Sequence, residues 1–272
     1  MQFLKLTSFL FIFILLSCKD NLTSHIDYIE DDYYPLKLGN EWTYKRSISY
    51  NNFEPDSLKD MFSDYKFYVN VKVTRKTVLD SINLFELFET NDLFNSSYAY
   101  YANQPNGLYK YAYSNSPSYA LPKRINSVQL KLDQLSFTNS FELLNFLKNG
   151  IVNSVNNDSV MVFDQPRLVY KYPMTIGSEW NFTSDFLIID KKIIGHEIIV
   201  INSNSYNCIK IMWDYKSQDF SNTIEYYEWV CEKGLIKSSV TIKDVTISTI
   251  EFPDGFGKVD YKEENILTEI NF

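Results

Sequence analysis

Beyond residue 33 the chain alternates apolar and polar residues with a period of two through segment after segment, the pattern of strands with one buried face. The clearest run sets Phe67, Val69, Val71 and Val73 against Lys66, Tyr68, Asn70 and Lys72, and it extends toward Leu79. Shorter runs predict strands over 82–89, 97–102, 108–113 and 159–163. Between Ile242 and Val245 the apolar parity changes across Lys243-Asp244, which predicts a bulge or a tight turn. Pro253-Asp254-Gly255 predicts a turn before a last strand around 258–270. One segment has helical spacing instead: Leu143, Leu144 and Leu147 share a side, Thr138 or Ser140 is placed to cap the start, and Gly150 ends it after Asn149. The fold class is mainly β, with α+β as the alternative: antiparallel sheets, half-barrel or sandwich-like, with one covering helix.

A motif punctuates this pattern twice. Tyr34-Pro35-Leu36-Lys37-Leu38-Gly39-Asn40-Glu41-Trp42-Thr43-Tyr44 returns as Tyr172-Pro173-Met174-Thr175-Ile176-Gly177-Ser178-Glu179-Trp180-Asn181-Phe182, identical at Tyr, Pro, Gly, Glu and Trp. A looser echo follows each copy, with Tyr100-Tyr101 before Gly107-Leu108 and Tyr226-Tyr227 before Gly234-Leu235. Two related β-rich units, about 34–113 and 172–240, are expected within a single body over 33–272. Each copy reads as a structural corner. Proline fixes an extended approach, glycine permits a tight turn, and the aromatic pair that starts at Trp42 or Trp180 faces one side of the next strand. The tyrosines and tryptophans of the motif are expected core anchors rather than a binding site.

The apolar run from Leu6 to Leu16, behind the single basic residue Lys5, is too short to span a bilayer, which takes about twenty apolar residues. It has the form of a signal-peptide core. It closes in Leu15-Leu16-Ser17-Cys18, which resembles the lipobox of bacterial lipoprotein precursors. That resemblance implies that residues 1–17 are a signal peptide and are removed. Cys18 then carries a diacylglyceryl group on its thiol and a further acyl chain, such as palmitate, on the new amino terminus. Residues 18–32, polar and acidic, would form the anchor and tether. Two or three acyl chains hold a protein on a membrane without help from its polypeptide. Lys19-Asp20 partly resembles the signal that sends some lipoproteins to the cell surface. The expected location is the cell envelope at the outer membrane, on its periplasmic side or at the surface. The Tyr-Pro-Leu-x-x-Gly-Asn-x-Trp-x-Tyr opening at Tyr34 is similar to that of uncharacterised envelope lipoproteins and names no activity.

A net charge of −8 without any basic block argues against nucleic acid as a partner. The same acidity would repel anionic headgroups, so attachment is expected through the covalent lipid alone. With 21 tyrosines, 20 phenylalanines and 4 tryptophans, the chain suits pleated, half-buried surfaces. Aromatic platforms for sugars or lipids are the sharper reading of the same enrichment.

Folding 208–215 against 224–231 pairs Ile209 with Val230, Trp213 with Tyr226 and Tyr215 with Ile224, sets Lys210 over Trp229, and brings Cys208 opposite Cys231. Opposed antiparallel residues have Cα atoms about 4.5–5.5 Å apart, a span that suits a disulfide. A slip of two residues keeps the faces and separates the thiols, so a bridge and two free, packed cysteines are both open. The only histidines are His25 and His196. Zinc takes three or four protein ligands, and the one set to weigh is Cys208, Cys231 and His196, against an ordinary strand histidine. There is no Gly-x-Ser-x-Gly elbow, no phosphate-cradling glycine loop and no EF-hand acidic loop. Glu41 and Glu179 hold equivalent motif positions and would make a glycosidase-like pair only if the two units face each other; alternation beside Trp turns each toward water.

The expected function is that of a non-catalytic cell-envelope lipoprotein, a binding or assembly module presenting aromatic surface to a glycan or an envelope protein, with no metal and no cofactor. The alternative is a carrier of a lipid or other hydrophobic ligand in a half-barrel, by analogy with the lipoprotein-carrier family. A glycan-acting hydrolase comes third. An apolar cavity marks the carrier, an exposed aromatic strip over a packed interior marks the module, and converging acids mark the hydrolase.

Overall fold

The chain folds as a mainly β protein in which antiparallel neighbours follow one another almost all the way round a barrel. The computed structural model describes residues 34–79, 81–93, 96–115, 128–149, 160–216 and 223–272. The signal peptide, Cys18, the tether with His25, and Gly150 with the loop after it lie outside the described residues. The first strands are β1 (Glu41–Glu54), β2 (Tyr65–Leu79), β3 (Ile82–Asn91), β4 (Ser96–Gln104) and β5 (Gly107–Asn115). Short β6 (Gln129–Leu132) and β7 (Leu135–Phe137) lead into the helix α1 (Ser140–Asn149) and then to β8 (Met161–Lys171). The remainder is β9 (Glu179–Ser184), β10 (Ile188–Ile201), β11 (Asn204–Tyr215), β12 (Ile224–Cys231), β13 (Gly234–Ser248) and β14 (Gly257–Asn271).

The strand order is β8-β5-β4-β3-β2-β1-β14-β13-β12-β11-β10-β9, with β6 and β7 added beside β13. Each half is thus a meander, and β1 joins the halves by pairing with the last strand, Glu41 opposite Asn271 and Tyr50 opposite Tyr261. The two edge strands meet without a ladder. Side chains bridge them instead: the Trp180 indole donates to the Leu168 carbonyl at 2.9 Å and Lys191 Nζ to the Val169 carbonyl at 3.2 Å. Edge carbonyls that would otherwise invite another strand are used up inside the molecule. The sheet therefore wraps further than a half-barrel and is not a sandwich.

Parity dictates the inside. On β1, Trp42, Tyr44, Ile48 and Tyr50 are buried, and on β2 so are Phe67, Val69 and Val73, while Lys66, Tyr68 and Lys72 are exposed. The parity change at Lys243-Asp244 is a bulge: the β13–β14 register shifts between Ile242 and Val245, and Asp244 takes φ 55°. A smaller cluster on the other face of β3 to β5, built from Leu84, Tyr100 and Tyr111, surrounds Glu86, which accepts from Arg75 Nε at 2.7 Å and Tyr100 OH at 2.9 Å.

Helix α1 lies across the end of the barrel where β2 begins and β11 finishes. Tyr65 OH contacts Ser140 Oγ at 2.9 Å, Phe141 packs on Phe67 with ring centroids 5.7 Å apart, and Tyr215 OH donates to the Leu147 carbonyl at 3.3 Å. Leu143, Leu144 and Leu147 are buried as their spacing predicts, with Phe146 beside them. Neither Thr138 nor Ser140 caps the helix: Asn139 Oδ1 accepts from Glu142 N at 3.0 Å, and Glu142 Oε2 accepts from Thr138 N at 2.8 Å. The amide oxygen, one position from each candidate hydroxyl, satisfies the orphan donor, and Ser140 Oγ is turned to Tyr65. Among the described residues no helix is long and apolar enough to cross a membrane.

Candidate functional site

The two Tyr-Pro corners close the opposite end of the barrel, and they do so with matching bonds. Gly39 N donates to the Val73 carbonyl at 3.0 Å and Gly177 N to the Ile193 carbonyl at 2.9 Å, while Val73 N and Ile193 N donate back to Asn40 and Ser178. Both glycines take positive φ, 90° and 85°, which is why the motif requires them. Trp42 and Trp180 are buried, and Trp42 Nε1 donates to the Lys233 carbonyl at 2.7 Å. Pro35 offers its carbonyl to Asn40 Nδ2 at 2.9 Å, and Pro173 offers its own to Thr175 Oγ1 at 3.5 Å. The corners also touch: Tyr172 OH accepts from Tyr34 N at 2.8 Å and donates to Asn103 Oδ1 at 3.0 Å. Tyr34 itself stacks on Tyr170, with centroids 5.9 Å apart, and faces inward.

Between the corners and α1 lies a cavity of about 700 Å³. Its wall is aromatic, with Tyr34, Tyr44, Tyr101, Tyr170, Tyr226 and Trp213 among the lining residues. Burial holds the phenols of Tyr44, Tyr101, Tyr170 and Tyr226 far above their ordinary pKa, so they remain neutral hydroxyls. Charged side chains share this wall, each at a position where alternation points inward.

Three charged nodes can be distinguished. Arg46 NH2 lies 3.3 Å from Glu89, and its Nε 3.7 Å from Glu263, a carboxylate also approached by Lys148 at 3.6 Å and by Tyr261 OH at 3.2 Å. Lys191 is fully buried, 3.0 Å from Glu228, and its ammonium sits 3.9 Å from the Trp213 ring centroid, 4.8 Å from Phe182 and 5.1 Å from Tyr170. Burial pulls the Lys191 pKa down while Glu228 pulls it back up. Lys110 has no carboxylate partner among the described residues. Its Nζ donates to Asn149 Oδ1 at 2.8 Å and lies 5.0 Å from the Tyr113 ring, and burial, then the charge of Arg167, lowers its pKa to about 7.

Several polar atoms on this wall make no hydrogen bond among the described residues: Arg46 Nε, Tyr113 OH, Trp213 Nε1 and Asn265 Oδ1, all on buried side chains. Buried polar groups are nearly always satisfied in folded proteins, and four of these exceptions border this one cavity.

The remaining sequence candidates lie elsewhere. The hairpin ladder runs Ile209 opposite Val230, Lys210 opposite Trp229 and Trp213 opposite Tyr226, with the last pair stacked at 4.4 Å. Cys208 and Cys231 are both buried free thiols; the hydrogen bond to Cys231, then burial, pushes the Cys208 thiol far up. His196 is exposed on β10 opposite Ile209, and among the described residues no group of three His, Cys, Asp or Glu side chains converges as a metal site. Glu41 and Glu179 do not meet: five strands lie between β1 and β9 in the sheet, Glu41 is bound by Lys72 at 2.9 Å and Asn70 at 2.6 Å, and Glu179 faces Lys192 at 3.8 Å. The signal that sequence reasoning passed over was a charge at an inward parity position, as in Ile189-x-Lys191-x-Ile193 and Tyr226-x-Glu228-x-Val230.

No family model and no curated protein matches the chain. Among solved structures it is similar to the crystal structure of a "putative lipoprotein" from Parabacteroides distasonis, at 14% identity over 88% of this chain and 98% of that one, with a TM-score of 0.36. It is also similar to that of a "putative exported protein with YmcC-like fold" from Bacteroides fragilis, at 12% identity over 89% and 99% of the two chains, with a TM-score of 0.35. Neither description names a ligand or an activity, and the functional reading rests on the cavity.

Proposed function

We propose that this protein is a non-catalytic, lipid-anchored envelope protein that binds a small molecule inside its barrel. The observation that carries this reading is the cavity of about 700 Å³ with its aromatic wall and unpartnered polar atoms. Its size falls within the range of about 300–1,000 Å³ common to small-molecule sites. Tyr34, Tyr44, Tyr101, Tyr113, Tyr170 and Tyr226 line this interior, which favours a ligand taken inside over a polymer gripped outside. Lys110 and the unpartnered polar atoms on the wall favour an amphipathic ligand over a bare hydrocarbon chain, since an acyl tail would leave those groups without a partner. The separation of Glu41 and Glu179 supports a role without catalysis by that pair.

The lipobox-like Leu15-Leu16-Ser17-Cys18 supports attachment through Cys18, in the envelope and at the outer membrane. A tether over 18–33, even fully extended, spans only about 50 Å, so the body would stay near the membrane. The matching corners before β1 and β9, each opening a six-strand meander, support descent of the two halves from one duplicated unit.

Native mass spectrometry of the full chain purified from membranes, before and after denaturation, tests the binding role. Release of a small molecule together with a diacylglyceryl-modified Cys18 is the expected result. Ligand-free protein in every preparation, with no uptake of added amphiphiles, would end this reading.

A further inference from the structure

Four cations border or adjoin the cavity beside Lys110. Arg46 has Glu89 and Glu263, Lys191 has Glu228, Arg167 has Asp185 at 2.7 Å, and Lys148 shares Glu263 with Arg46. Among the described residues Lys110, on β5, has only the neutral Asn149 Oδ1 and the rings of Tyr113 and Phe163. The charges that act on it are mostly of its own sign: Arg167 on β8, Lys148 on α1 and Lys191 on β10, with Glu89 on β3 the opposing one. Glu89 is already engaged by Arg46, and Glu142, the remaining carboxylate of the α1 wall, accepts from Thr138 N. Lys110 is therefore the cation of this wall that no carboxylate among the described residues balances.

We infer that the cavity takes a ligand with an anionic oxygen headgroup, a carboxylate or a phosphate, seated against Lys110 beside Asn149, and with an apolar or aromatic body along the tyrosine wall. This rests on the proposal that the cavity is a ligand site, and it adds the ligand's charge and orientation. An anion there supplies the partner that every other cation of the cavity already has. The Tyr113 ring lies 5.0 Å from the same ammonium, and its buried hydroxyl, without a hydrogen bond among the described residues, is a further donor on this wall.

Three probes of one shape test it: 2-naphthoate, 2-naphthyl phosphate and uncharged 2-naphthol, titrated calorimetrically into the purified full chain at pH 6. The anions are expected to bind at least about tenfold tighter than the naphthol. That advantage should vanish in Lys110→Gln and persist in Lys110→Arg. A preference for one anion identifies carboxylate or phosphate as the natural headgroup. Should Lys110→Gln fold poorly, wild-type protein at pH 9 serves instead, because Lys110 has then lost its proton and the advantage should shrink. Naphthol binding as tightly as the anions, or an advantage unchanged in Lys110→Gln and at pH 9, overturns the anionic seat and leaves the cavity reading intact. Failure of all three probes to bind overturns both.

Discussion

Lys191 is the most exacting test of how the barrel interior is held together. Its ammonium is fully buried, 3.0 Å from Glu228 and 3.2 Å from the Val169 carbonyl, with the Trp213 ring at 3.9 Å. At an effective dielectric of about 20, two unit charges at that separation attract by about 5 kcal/mol. Desolvating both ions offsets most of this, so the intact pair contributes little net stability, whereas removing one partner strands the other. Lys191→Met leaves a buried carboxylate and removes one of the two side-chain donors, with Trp180, that reach β8 carbonyls across the seam, and it is expected to cost about 3–5 kcal/mol. Glu228→Gln leaves an ammonium still held by Val169 and by three aromatic rings, a setting that supplies about 2 kcal/mol. Its expected cost is smaller, about 2 kcal/mol. The double variant should lose no more than about 2 kcal/mol, giving a coupling of at least about 3 kcal/mol. Urea unfolding followed by tryptophan fluorescence reads all four proteins, with the slope m checked for constancy. Single-variant costs that add to within about 0.5 kcal/mol would refute the reasoning.

Other consequences can be measured on the same protein. Lys110 titrates at about 7 in the fold against an ordinary 10.5, so above pH 7 the unfolded chain binds a proton that the native state has released. Stability should therefore rise between those two values by up to about 1.4 kcal/mol per pH unit, and thermal melts at pH 7 and 9 should show less of this rise in Lys110→Met; an identical rise in the variant refutes the assignment. Gly39→Ala and Gly177→Ala should each cost about 1–2 kcal/mol, from positive φ alone, since no atom lies within 4 Å of the added methyl. Gly107→Ala should cost more, because its methyl would run into the Tyr170 carbonyl oxygen; chemical denaturation giving the opposite order would count against the backbone argument. Of the 3 cysteines, only Cys208 and Cys231 should react with a thiol reagent, and only after unfolding without reductant. Reaction of neither would mean a disulfide, and reaction of all would mean an unmodified Cys18.

Much of this architecture is legible in the chain because alternation is a local property. The faces of β2, the bulge at Lys243-Asp244 and the hairpin register from Ile209 opposite Val230 all follow from side chains a few residues apart. Closure is not local. The pairing of β1 with β14 joins residues more than 200 positions apart, as in Thr268 Oγ1 donating to the Thr43 carbonyl, and nothing in either strand specifies the other. The seam is harder still, since it depends on Trp180 and Lys191 reaching carbonyls of β8. The helix cap turned on a choice among Thr138, Asn139 and Ser140, three polar neighbours that sequence alone ranks almost equally.

The cavity was legible in principle, and the reason it is easily missed says what it is for. Arg46, Lys191 and Glu228 each occupy a position that alternation assigns to the interior, between buried apolar or aromatic residues. Taken singly, each looks like noise in a strand pattern. A packed core would gain from replacing them with apolar residues of similar volume, because buried ion pairs seldom repay their desolvation. Together they converge on one space, leave Lys110 without a counter-charge, and coincide with four of the five buried polar atoms that have no hydrogen bond among the described residues. Sequences that fold well break local rules mainly where function requires it. Ion pairs scattered around a fully packed interior would be a structural oddity; ion pairs, a lysine without a carboxylate partner among the described residues and unpartnered polar atoms around a shared cavity fit the inward recognition surface proposed for it.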